Sequence, residues 1–169
     1  MSRRRLVEIE PGSVFAVPLF LADEPITRRL APATFAGRGS EFAFSRVIVD
    51  LGGAGFLVEV FDLVGTLATD LAAVTAAPRL FDPVALSGLG ISKRRWPLMG
   101  VSPAYDAERD SRLSEVRLVM GADDDLRLWH GGSGASAPVS ATAAAEHEPW
   151  TIWNEARLEA RTREALTHR

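Results

Sequence analysis

The chain has no cysteine, which excludes disulfides, thiol nucleophiles and thiolate metal sites and fits a reducing compartment. It has no apolar run long enough to span a bilayer. Arg3, Arg4 and Arg5 near the start are followed by Glu8, Glu10, Pro11 and Gly12 rather than by an apolar stretch, which argues against a secretory signal. Together these lacks point to a soluble cytoplasmic protein with no membrane partner. Basic excess is also missing: the net charge is −3, so the fold as a whole does not attract nucleic acid.

Recognisable catalytic patterns are absent too. His130, His147 and His168 form no H-x-x-x-H pair and read as surface residues. Gly88-Leu89-Gly90-Ile91-Ser92-Lys93 lacks the Walker spacing, and Asp123-Asp124-Asp125 lacks the alternation of an EF-hand loop. Ser13, Ser45, Ser87 and Ser92 sit in no nucleophile-elbow context. The expectation is therefore no catalytic residues, no metal, no cofactor and no enzymatic activity.

What is present is a globular balance, 47% apolar and 24% charged, in a length of 169 residues that can bury a core. The most informative stretch is Glu41–Gly65, in which two runs of Phe, Val, Ile and Leu are broken by Gly52-Gly53-Ala54-Gly55. Glycine supplies the positive φ of a tight reversal, so the stretch reads as a β-hairpin. Alternation puts Phe42, Phe44, Arg46 and Ile48 on one face and Ala43, Ser45, Val47 and Val49 on the other. In the second run Phe56, Val58 and Val60 oppose Leu57, Glu59, Phe61 and Leu63. Both faces are largely apolar, which predicts a central hairpin covered on both sides. Arg46 and Glu59 interrupt this pattern and must stay wet or find partners. A cross-strand Arg46–Glu59 pair is favoured over a functional role, although register is not set by sequence.

Around the hairpin, Ser13–Leu21 reads as a first strand, with Pro18 at an edge or a bend. Ala22–Ser40 reads as a long polar loop, and Thr66–Ala77 as a short helix stopped by Pro78. Arg79–Ser87 looks extended. A strand around Trp96–Val101 is expected at an edge because of Pro97. Pro103–Arg112 reads as irregular. Leu113–Met120 and Leu126–Trp129 read as paired strands across an acidic turn. The fold class expected is mainly β (α+β): a strongly bent antiparallel sheet or partly open small barrel with one short inner helix and a C-terminal helix. Residues 1–130 would form the β-rich domain and 131–148 a flexible small-residue connector. Residues 149–169 would be a helix packed on the same domain. Thr151 is the expected N-cap, Glu159 and Arg163 an i,i+4 pair, Trp153, Ala156 and Ala160 the apolar stripe, and Trp150 and Trp153 anchors.

Two surface features could recognise a partner. Asp23 and Glu24, with Asp123, Asp124 and Asp125, are loop acids that could complement a basic protein surface. Arg46 with Lys93, Arg94, Arg95 and Trp96 could instead grip phosphates and stack a base, giving an alternative nucleic-acid-binding barrel. For each, solvated loop charge is the simpler reading.

Ile9–Leu19, IEPGSVFAVPL, resembles the opening G-D-V-F-A-I-P-L strand of the immunity protein 26 family of bacterial polymorphic toxin systems, with Ser13 at the acidic position. Glu41–Val49, EFAFSRVIV, resembles that family's Y-A-Y-G-R-V strand, with Ser45 at the glycine. Ile91–Gly100, ISKRRWPLMG, resembles its lysine-rich turn leading into W-x-I-I-G. Order and spacing agree over roughly Ile9 to Val101. The resemblance implies a cytoplasmic antidote that binds and neutralises a cognate toxin delivered by neighbouring bacteria. It carries over no catalytic residue.

Overall fold

The hairpin organises the molecule as its alternation requires. In the computed structural model, which describes residues 8–22 and 24–169, β1 is Ser13–Pro18, β2 Phe42–Asp50 and β3 Phe56–Gly65. The reversal between β2 and β3 is a single 3-10 turn, Gly52–Ala54, closed by Gly55 at φ +85°. After the hairpin come α1 (Leu71–Ala76), β4 (Val84–Leu86), α2 (Leu89–Ser92), β5 (Leu98–Val101) and α3 (Ala107–Ser111). Then follow β6 (Arg117–Met120), β7 (Arg127–His130), β8 (Ser136–Pro138), α4 (Ala141–Ala144), β9 (Glu148–Pro149), β10 (Ile152–Trp153) and α5 (Glu155–Thr167).

The strands form two open mixed sheets, in the orders β10-β4-β3-β2-β1-β5 and β8-β7-β6-β9. The protein is thus β-rich and α+β. The expected antiparallel character holds except at β10–β4 and β6–β9, which are parallel. Both exceptions come from the short segment that leaves one sheet as β9 and joins the other as β10. Register shifts within β1–β5 and β2–β3 mark bulges, which bend strands and increase their twist.

Each hairpin face meets its own cover. Ala43, Val47, Val58 and Val60 pack with Ile91, Trp96 and Leu158 of α5. On the opposite face Phe42, Phe44 and Phe61 pack with Leu30, Phe35 and Val74 of α1. Further along that face, Ile48 and Leu57 meet Leu118 and Trp129 of the second sheet and Val116 just before it. The predicted faces of β2 and β3 are those observed except at Val49, which the bulge after Val47 turns to the Ile48 and Leu57 side.

Elsewhere the structure corrects the sequence reading. β1 is not an edge strand, because β5 pairs along its other side. Pro18 is tolerated at its last residue, beyond the Ser13–Phe15 stretch that β5 pairs with. The 22–40 loop is not wholly solvated: Leu30 and Phe35 are buried, and Phe35 joins Phe20 and Phe42 in an aromatic cluster with centroids 5.5–6.3 Å apart. Pro103–Arg112 contains α3, whose N-cap Asp106 accepts from the Arg109 amide. Leu113–Glu115 is 3-10 helix, so the strand begins at Arg117. Within 131–148, the stretch read from sequence as a flexible small-residue connector, β8 pairs with β7 and Ser140 caps α4. Small residues permit that close strand pairing as readily as they permit a linker.

The N-cap of the last helix is Asn154, not Thr151: the Asn154 side chain accepts from the Arg157 amide. Its buried face is Glu155, Leu158, Glu159 and Thr162 rather than the Ala156/Ala160 stripe. Arg95 and Trp96 in the turn before β5 and the Gly90 amide of α2 draw Glu159 and Glu155 inward and so set the rotation of the helix. Trp150 anchors against Trp129 with ring centroids 5.0 Å apart, and Trp153 packs at the edge of the α5 cluster.

Candidate functional site

The two charges that break the hairpin pattern meet. Arg46 and Glu59 are directly opposed in the β2–β3 register. Arg46 donates from Nε to Glu59 Oε1 at 2.8 Å, and both side chains are almost fully buried. Arg79 donates from Nε to Oε2 of the same carboxylate at 2.7 Å, and Ser111 Oγ donates to Oε1 at 2.6 Å. Arg46 also donates from Nη2 to the Asp110 carbonyl at 2.9 Å and lies against the rings of Phe61 and Tyr105. Burial raises the Tyr105 hydroxyl above its ordinary value, and its oxygen lies 2.6 Å from Ser111 Oγ. The network sits between the aromatic cluster and the second-sheet cluster and ties α3 to the sheet. Every acceptor position on Glu59 facing a donor is occupied, which suits a clamp better than a general base.

A second network holds α5. Arg95 binds Glu159 bidentately, from Nε at 2.6 Å and Nη2 at 3.0 Å, and Trp96 Nε1 donates to the same carboxylate at 3.1 Å. The remaining Arg95 donors reach the Leu21 and Glu24 carbonyls at 3.0 and 2.8 Å. Burial pushes the Glu159 carboxyl up while Arg95 pulls against it. Glu159 therefore turns inward to Arg95 and forms no ion pair with Arg163. One turn earlier, buried Glu155 accepts from the Gly90 amide at 2.7 Å. Its other oxygen has no partner, and burial raises its carboxyl above the usual range. The glycine-rich 88–93 stretch thus turns its Gly90 amide to a carboxylate of its own chain.

The five residues of the alternative nucleic-acid interface do not form one surface. Arg46, Arg95 and Trp96 are buried and bonded to carboxylates; Lys93 is half-buried and Arg94 exposed. Of the loop acids, Asp123, Asp124 and Asp125 are exposed on the turn between β6 and β7. Glu24 is already paired with Arg28 at 2.7 Å, and Asp23 lies outside the described residues. His130 and His147 are half-buried and His168 is exposed, and no group of three or more His, Asp or Glu that could hold a metal occurs among the described residues.

Sequence reading missed an apolar groove of about 340 Å³ beside β5. Leu30, Phe35, Leu67, Trp96 and Leu98 line it, with Arg94 at the rim. A shallower hollow shares Arg94 and adds Arg29. The available signal was Leu30 and Phe35, two large apolar residues inside an otherwise polar loop.

Two open sheets carry buried ion pairs in their interior, with charge and apolar surface left at the loops and one strand edge. The family model for immunity protein 26 matches residues 10–126, and the chain belongs to that family. The matched span runs from the approach to β1 through the β6–β7 turn and so holds the whole hairpin, Arg46, Glu59 and Arg95. No curated protein and no solved structure matched the chain. No helix among the described residues is long and apolar enough to cross a membrane.

Proposed function

We propose that this protein neutralises a cognate toxin of a bacterial polymorphic toxin system by direct protein–protein contact, without turnover, in the cytoplasm of the cell that makes it. The observation that carries this reading is membership of the immunity protein 26 family across the sheet framework. The chemistry of the interior supports it. Arg46, Glu59, Arg79, Arg95 and Glu159 are engaged with one another, as in a scaffold that must hold its shape against a partner. The exposed acids Asp123, Asp124 and Asp125 would steer a basic toxin surface, with Asp23 and Glu24 as further candidates.

This reading expects a toxin domain encoded beside this chain's gene, and the test is co-expression with it. Protection of growth and recovery of a stoichiometric complex are expected. A toxin domain that kills equally with and without this protein, and does not co-purify with it, would reject the reading.

A further inference from the structure

β5 closes one end of the six-stranded sheet, and its outer edge has no strand partner among the described residues. Leu98, opposite Phe15 on β1, is 50% exposed, and Val101 and Leu67 are exposed as well. An unpaired edge beside exposed apolar side chains is a template for a further strand unless something covers it. The groove meets this edge at its first residue, Leu98, and Arg94 borders both hollows. Neither Arg29 nor Arg94 has a carboxylate partner among the described residues, although the chain is acidic as a whole.

The backbone at Arg94 adds an independent observation. Arg94 has φ +61° just after α2, where the Arg95 amide donates to the Gly90 carbonyl and the Arg94 amide to that of Ile91. This is the helix-ending position at which glycine is favoured, and a side chain there costs about 1 kcal/mol. An arginine in that place puts a cation at the groove mouth at the expense of local stability.

The geometry points to a docking site for an extended segment of the toxin, which adds to the free edge of β5 as a strand. Its apolar side chains enter the groove over Leu67 and Leu98, and a carboxylate on it meets Arg29 and Arg94. Main-chain bonding at the edge supplies affinity, and the groove with its cationic rim supplies selectivity. This inference rests on the toxin-binding reading and names the surface involved. It is separate from the acidic β6–β7 turn, which belongs to the other sheet.

The experiment titrates the toxin domain encoded beside this chain's gene against the full-length protein and three variants. Leu98→Lys and the double variant Arg29→Glu/Arg94→Glu should each weaken binding by about tenfold or more, the double variant chiefly through slower association. Arg94→Gly should weaken binding by several-fold while leaving the melting temperature unchanged or higher, so that lost affinity cannot be lost folding. Amide exchange at Leu98–Val101 should slow in the complex. Normal affinity in Leu98→Lys and in the double variant, with unprotected β5 amides, overturns the docking site and leaves the toxin-binding reading intact. Failure of the unaltered protein to bind the toxin domain overturns both.

Discussion

Arg46 on β2 and Glu59 on β3 stand opposite each other in register, and their side chains close a buried ion pair at 2.8 Å between two apolar clusters. Arg79 and Ser111 complete the shell around the same carboxylate. The arrangement binds the central hairpin to α3 across the seam between the two sheets.

Removing one partner of this network leaves charge buried without compensation. Arg46→Ala is expected to cost about 3–5 kcal/mol, the range for breaking a buried pair. Arg79→Ala should cost less, because Arg79 is partly exposed and Arg46 remains on Glu59. Urea unfolding measures both. Equal small losses would mean that the carboxylate is solvated and the pair is not a clamp.

Glu155 should make stability depend on pH. Its folded carboxyl titrates above the ordinary value because of burial, against the pull of the Gly90 amide. Below about pH 4.3, the unfolded value, the group is protonated in both states and carries no penalty. As pH rises through the raised folded value, stability is lost. Glu155→Gln should therefore stabilise the protein at neutral pH, with the gain shrinking towards pH 4. Parallel stability curves for the two proteins would refute the assignment.

Gly55 ends the hairpin turn at φ +85°, and a Cβ there would collide with the Leu86 carbonyl of the neighbouring strand. Gly55→Ala should destabilise by more than about 1 kcal/mol, combining left-handed strain with a backbone clash. Gly53→Ala in the same turn meets nothing within 4 Å and has no positive φ, so it should be nearly neutral. Thermal melts of the two variants compare position against composition directly.

Reversing Asp123, Asp124 and Asp125 to lysine should slow association with the toxin domain and weaken its salt dependence, with little change in dissociation. The turn is exposed, so the fold should tolerate the change apart from a cost of about 1 kcal/mol at Asp123, whose φ of +49° suits aspartate better than lysine. Stopped-flow association at low and high salt would show it, and an unchanged rate would remove these acids from toxin capture.

The hairpin was legible because period-two alternation and a glycine turn are local properties. Phe42, Phe44, Ile48, Val58 and Val60 lie on the faces their spacing predicts. The 22–40 loop and the last helix were misread for the opposite reason. Leu30 and Phe35 are buried by residues distant in the chain, and Glu159 is buried only because Arg95 lies across from it, 64 positions away. The groove escaped notice on the same grounds, since its walls come from β1, the 22–40 loop, the approach to α1 and the turn before β5.

By itself the amino-acid order determined the central strands, their two apolar faces, the exclusion of thiol chemistry and the family to which the chain belongs. Tertiary structure alone decided the fate of its ionisable groups. Whether an arginine lies buried on a carboxylate, as Arg46 and Arg95 do, or exposed at a groove, as Arg94 does, depends on what folding brings opposite it. Hydrophobic alternation is written within a few neighbouring residues, whereas the desolvation and pairing of a charge depend on atoms supplied from remote parts of the chain.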